Sequence, residues 1–271
     1  VEINRFFRKP VDVHPYTGFL LETNRLELRI RHPRPTERPI MPIAVVSAMD
    51  EEIQLYLDTC TVEATDEVAG FQVHTARYAG HDVRLVKCGV GKTHAAMCTQ
   101  MLIDRYGASP IVCTGTAGAA ATDLDIGDIV VARDTVHHDV DVRFLGIPRG
   151  QIPFTDLRFF ETDPDLREKA REVALADHTV RVGRVMTGDT FVQDADYLQT
   201  LREDLDGDCV EMEGAAVGQV CTLNGVPYLV VRAISDRADG SSDVDFQAFL
   251  QEAARSSAQI VLHLLDAIDE S

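Results

Sequence analysis

The sequence predicts an α/β domain built on a mixed β-sheet, and three observations carry that expectation. Apolar, β-branched runs alternate with stretches in which apolar residues recur at intervals of three and four. Two of the runs, FQVHTARYA and DVRLVKCG, meet at Ala79-Gly80-His81-Asp82, the pattern of a hairpin, so the sheet is not purely parallel. Polar residues gather where apolar runs end, and in open α/β sheets the carboxyl ends of strands are where ligands bind.

Taken in order from Met41, the strand candidates are PIAVVSA, FQVHTARYA, DVRLVKCG, PIVCTG, DIVVAR, VRVGRVMTG, DCVEM and PYLVVRAIS. Helices are expected over 50–59, 92–106, 164–176, 195–204, 213–224 and 245–268, the last having the clearest amphipathic spacing. A plain doubly wound sheet fits less well than a mixed one, because of the hairpin. There is no internal repeat and no GxGxxG fingerprint. GVGK at 89–92 shares glycines with a phosphate loop but lacks the full Walker spacing.

Residues 1–40 differ from the rest: they hold eight Lys/Arg against five Asp/Glu, where the remainder holds 18 against 39. The break falls at HPRPTERP, whose Pro33, Pro35 and Pro39 favour an extended connector over a helix. The expected division is therefore an N-terminal extension, 1–40, and a catalytic domain, 41–271. Alternation at Leu26, Leu28 and Ile30 suits an added edge strand or hairpin, and a poorly ordered appendage is the competing account. Met41 directly precedes the first core strand, so residues 1–40 read as dispensable.

A net charge of −18 opposes a polyanionic partner, since nucleic-acid binding needs Lys and Arg to neutralise phosphates. No apolar stretch reaches the ~20 residues that span a bilayer, and no short apolar segment follows a basic start. The six cysteines are scattered without a CxxC pair and mostly sit in apolar runs, as reduced core residues of a cytoplasmic protein do. A small-molecule partner, with no nucleic acid, membrane, metal or cofactor, is the expectation.

The polar strand ends are Asp50-Glu51-Glu52 after IAVVSAM, Thr114-Gly115-Thr116 after PIVC, Glu211-Met212-Glu213 after DCV, and Ser235-Asp236 after LVVRAI. Any one acidic residue there more often caps a helix or faces solvent. Four such ends can converge on one cleft. Glu211 and Glu213 are two apart, so on an extended segment they point the same way with Met212 opposite. Arg232, inside the apolar VVRAIS, has to find a carboxylate or a ligand, and a structural pair with Glu211 competes with a ligand role.

With SAMDEEI, GVGK, TGTAG, GDIVVA, HHDVDV, GDTFV, VEMEGAA and VVRAISD in this order and spacing, the chain resembles the 5′-methylthioadenosine/S-adenosylhomocysteine nucleosidases over about residues 41–268. VEMEGAA followed about twenty residues later by VVRAISD is the specific part. The resemblance implies a three-layer α/β/α sandwich with a central mixed sheet, as in the nucleoside phosphorylases, and a homodimer. It implies hydrolysis of an N-ribosidic bond, with Glu52 binding and deprotonating water and Arg232 and Glu213 helping to hold it. Glu213 would also bond the ribose hydroxyls beside the Met212 backbone. Asp236, supported by Ser235, would protonate adenine N7, which requires burial or neighbouring negative charge to keep its proton near neutral pH. Phe191 would stack on the base and the Val192 backbone read its edge.

The ribose pocket needs small groups, which suits Thr116, Gly115 and Gly118. Met49, Met212 and Phe246 would line the apolar 5′ pocket, although for Met49 and Phe246 core packing is the plain alternative. A partner subunit would complete that pocket from within 136–147. Thr116, Ala119 and Gly214 depart from the commoner Ser, Gly and Ala, which bears on substrate preference. A purine nucleoside phosphorylase is the nearest rival, but phosphate needs cationic donors where Asp50-Glu51-Glu52 and Cys113-Thr114 stand. A futalosine-type hydrolase is a second rival, and a non-catalytic nucleoside-binding protein a third, for which a water-activating carboxylate has no use.

Overall fold

The computed structural model describes the backbone of residues 41–173, 178–238 and 242–268, with side chains from 249 in the last span. The expected strand near Leu26–Ile30 and the side chain of Phe246 lie outside the described residues.

The chain runs β1 (Ile43–Ser47), α1 (Asp50–Thr59), β2 (Thr61–Val68), β3 (Phe71–Tyr78), β4 (His81–Lys87), α2 (Lys92–Tyr106), β5 (Ile111–Ala119) and β6 (Ile129–His137). It continues through a single 3-10 turn (Arg143–Leu145), β7 (Phe160–Glu161), α3 (Pro164–Arg171), β8 (Val180–Thr187) and α4 (Ala195–Leu205). It ends with β9 (Cys209–Glu211), α5 (Gly214–Asn224), β10 (Tyr228–Asp236) and α6 (Ser242–Ala267).

Local chemistry sets the helix bounds. Asp50, Glu51 and Glu52 occupy the first turn of α1, where carboxylates complement the helix dipole. Asp163 accepts hydrogen bonds from the Asp165 and Leu166 N–H groups and Pro164 follows it, which starts α3. That helix ends at Arg171, short of the expected residue 176.

The mixed sheet has two parts. Strands β5, β10, β6, β8 and β9 pair in a closed ring, β10 being parallel to β5 and antiparallel to β6, and β9 antiparallel to β5. From β5 the sheet opens through β1 and β4, both parallel, into the antiparallel β3 and β2. The β3–β4 hairpin turns at Ala79 and Gly80, both at positive φ, as a two-residue loop between twisted strands requires. Strand β2 was not expected: TVEATDEV carries charge along its length and seven of its eight residues are exposed, as suits an edge. The two-residue β7, beside β6, was also not expected.

Helices α1, α3 and α6 pack on one face, with Ile53, Tyr56, Leu166, Ile260 and Leu264 in a shared core. Helices α2 and α5 cover the other with Cys98, Leu102, Ala216 and Cys221, completing three layers. Strands β1, β5 and β10 are buried at every position, so their polar ends lie inside the domain. All six cysteines are buried and unpaired. Among the described residues no helix is long and apolar enough to cross a membrane.

Candidate active site

A cleft of about 170 Å³ opens where the chain leaves β1, β4, β8, β9 and β10 and where β5 passes beneath. Glu52, Glu211, Glu213 and Asp236 all line it, and among its described lining residues there is no Lys or Arg.

Glu52 sits at the third position of α1 and folds back over the helix start. Its Oε2 accepts the N–H of Ala48 at 2.9 Å and of Met49 at 3.1 Å, and its Oε1 accepts the Thr116 N–H at 2.9 Å. Burial raises its pKa, opposed by Arg232 and by those three N–H groups. The result is a fixed carboxylate of heightened basicity.

Such close approach to β5 depends on Gly115. A Cβ there would lie closer than 3.0 Å to the Glu52 carboxylate and to Arg232 Nη1.

Arg232 is buried to 1% exposure and does not line the cleft but lies behind its carboxylates. Its Nη2 donates to Glu211 Oε2 and lies 3.4 Å from Glu213 Oε2 and from Cys113 Sγ.

Glu211 and Glu213 therefore share a cation yet face different groups. Glu211 Oε2 also accepts the N–H groups of Glu213 at 3.0 Å and Gly214 at 2.7 Å, and its Oε1 accepts the Thr187 hydroxyl. It acts as the anion at the start of α5. Glu213 Oε1 takes the Gly91 N–H at 2.8 Å. Burial, countered by Arg232 and reinforced by Glu211, raises the Glu213 carboxyl to about 7. Met212 lines the cleft together with both glutamates. The strand ends at Glu211 and Glu213 leaves extended geometry at φ −133°, ψ −40°, so side-chain alternation stops there.

Asp236 is aimed by an irregularity in the sheet. Ile234 pairs with Ala117 and Asp236 with Gly118, which leaves Ser235 as an extra residue, a bulge. Ser235 Oγ donates to Asp236 Oδ2 at 3.0 Å, and the Ala238 N–H to Oδ1 at 2.9 Å.

Met49, Thr116, Gly118, Phe191 and Val192 complete the expected set on the cleft, with Phe191 45% exposed at its mouth. Phe246 lies on α6 outside the described side chains. Sequence reasoning missed Ala48, Val90, Ala117, Thr190 and Val210, which also line the cleft. Val90 belongs to GVGK, and the Gly91 N–H of that motif meets the Glu213 carboxylate. Among the described residues no cluster of His, Cys, Asp or Glu is arranged to hold a metal ion.

Residues 42–266 match the Phosphorylase superfamily. A 5′-methylthioadenosine/S-adenosylhomocysteine nucleosidase of Geobacillus sp. (strain WCH70) is 37% identical over 233 residues, 85% of this chain and 100% of that protein. The structure of the 5′-methylthioadenosine/S-adenosylhomocysteine nucleosidase of S. pneumoniae, with a transition-state inhibitor, superposes with a TM-score of 0.80 at 35% identity, covering 84% of this chain and 100% of the other. Futalosine hydrolase of Helicobacter pylori superposes with the same TM-score of 0.80 at 33% identity, over 84% of this chain and 99% of the other. Sequence and fold agree over nearly the whole described domain, and the chain belongs to the phosphorylase superfamily, within its 5′-methylthioadenosine/S-adenosylhomocysteine nucleosidase family.

Proposed function

We propose that this protein hydrolyses the N-glycosidic bond of 5′-methylthioadenosine and S-adenosylhomocysteine, releasing adenine and the 5′-thioribose. The observation that carries the reading is the carboxylate-lined cleft without a cationic side chain among its described lining residues. Such a surface stabilises a sugar that develops oxocarbenium-like positive charge, and it repels phosphate.

In this reading Glu52 takes a proton from water, whose oxygen forms a bond to the anomeric carbon. The C–N bond breaks, its electron pair leaves with the purine, and Asp236 gives a proton to N7. Glu213 holds the ribose hydroxyls. Arg232 balances the carboxylates from behind, and Phe191 and Val192 take the base. Burial that makes Glu52 more basic serves a general base.

The test is to incubate the protein with methylthioadenosine, with and without phosphate, and identify the sugar. Free methylthioribose without phosphate supports hydrolysis. A sugar 1-phosphate formed only with phosphate makes the protein a phosphorylase. A futalosine-type nucleoside is the second reading, favoured by the equal structural likeness to that hydrolase, and enters as a parallel substrate.

The same reading makes the protein a cytoplasmic homodimer whose catalytic domain is 41–271. Its dimer face includes Phe144, 84% exposed, and Leu145 on the 3-10 turn within 136–147. Apolar side chains so exposed on a charged protein suit burial against a second copy.

A further inference from the structure

We propose that Asp189 is a positioning residue: it holds the Gly91 N–H on Glu213 and the loop bearing Phe191 as one unit. The inference deepens the hydrolysis reading and rests on it.

Asp189 stands between two parts of the cleft. On its own chain it is followed by Thr190, Phe191 and Val192, all lining residues. Across space its Oδ1 accepts the Lys92 N–H at 2.8 Å, the first N–H within α2. The Lys92 ammonium in turn reaches Asp139 Oδ1 at 2.6 Å, and Asp139 Oδ2 accepts the Asp189 N–H at 3.0 Å. Three residues thus form a closed ring that fixes Lys92 at both ends. Burial raises the Asp139 carboxyl, yet Lys92 and the Asp189 N–H prevail and hold it below the ordinary carboxylate range.

The consequence falls on Gly91, one residue before the anchored Lys92. Gly91 has φ +100°, and its N–H is the group that grips Glu213 Oε1 at 2.8 Å. A Cβ at Gly91 would meet Asp189 Oδ1 at 3.0 Å, so the aspartate lies against the glycine it orients. The other groups that act on Glu213 are Arg232, Glu211 and Glu52, none of them a member of this ring. Asp189 is itself exposed, so its hold comes from an aligned acceptor at a helix start and not from a strong field in a dry interior.

The acceptor can be kept or removed. Asp189→Asn keeps an oxygen for the Lys92 N–H, and Asp189→Ala does not. In Asp189→Ala, amide exchange at Gly91, read by NMR, is expected to rise at least about tenfold and kcat on methylthioadenosine to fall about tenfold. Asp189→Asn is expected to stay near wild type in both. Unchanged Gly91 exchange in the alanine variant, or an asparagine variant as impaired as the alanine one, overturns the proposal. If the wild type releases no adenine, the hydrolysis reading falls, while faster Gly91 exchange in Asp189→Ala alone still supports the clamp on Glu213.

Discussion

Arg232 and Glu211 form a buried ion pair beneath the cleft, and the same glutamate accepts the N–H groups of Glu213 and Gly214. Both carboxylate oxygens of Glu211 are thus held by the protein. Glu213, two residues on, lies 3.4 Å from the shared Arg232 and is the one the mechanism assigns to substrate.

The two glutamates should therefore fail differently. Removing one partner of a buried pair strands the other charge, at a cost of ~3–5 kcal/mol. Glu211→Ala is expected to lower the melting temperature by roughly 10 °C, at ~2–4 °C per kcal/mol for a domain of this size. Glu213→Gln keeps an acceptor for Gly91 and should melt no lower than wild type near neutral pH, but with kcat reduced at least ~10²-fold. Calorimetry and steady-state kinetics on both variants check this, and an effect of Glu213→Gln confined to KM would reduce its role to ground-state binding.

Glu213 also sets a pH dependence. Its carboxyl titrates near 4.5 when unfolded and at about 7 in the folded protein, chiefly through burial. Between those values the folded chain holds a proton that the unfolded chain has lost. The stability it contributes is full below pH 4.5 and is lost as pH rises through about 7. Melting temperatures of wild type relative to Glu213→Gln should accordingly fall across that window and level off above it. Activity should run the other way, with kcat/KM rising through about pH 7 as Glu213 ionises to serve the ribose and its cation.

Gly115 leaves no room for a side chain beside Glu52 and Arg232. Gly115→Ala pushes a methyl against Glu52 and Arg232, a strain of ~1–3 kcal/mol, and moves the carboxylate that would hold the water. The expected result is a kcat lower by at least ~10²-fold, because small displacements of a catalytic group are that costly. Wild-type kcat in this variant, or in Glu52→Gln, would contradict the assignment of Glu52 to the water.

Most of this arrangement could be read from local signals. The bounds of α1 and α2 matched expectation because an acidic first turn opens one and Gly107, at positive φ, closes the other. Strand β2 escaped because hydropathy is silent on a charged edge, although Ala69-Gly70 before β3 repeats the Ala79-Gly80 turn after it. Closure of the ring through β10 and β5 joins segments more than a hundred residues apart, and no local pattern encodes it. The polar candidates at 50–52, 114–116, 211–213 and 235–236 stand at the ends of apolar runs, and the remaining roles came from the resemblance. What the motifs did not contain was the bulge at Ser235, the Gly91 N–H on Glu213, and the Asp189–Lys92–Asp139 ring. All three are set by tertiary pairing.

The last expectation concerns the division of the chain at Met41. Every residue assigned to substrate or water lies at or beyond Met49, and β1 begins at Ile43. Ile43 and Val45 pack in one core cluster and Ala44 and Val46 in another, so the strand that carries Met49 and Glu52 into place is held by partners on both faces. Residues 1–40 hold a basic balance, eight Lys/Arg against five Asp/Glu, and none of the residues assigned to substrate or water. A protein comprising Met41–Ser271 is therefore expected to keep kcat/KM within about twofold of the full chain and its melting temperature within ~2–4 °C, the equivalent of 1 kcal/mol. The comparison needs only the two purified proteins, methylthioadenosine and a calorimeter. A large loss of activity, or a melting temperature lowered beyond that range, would make the first forty residues part of the fold.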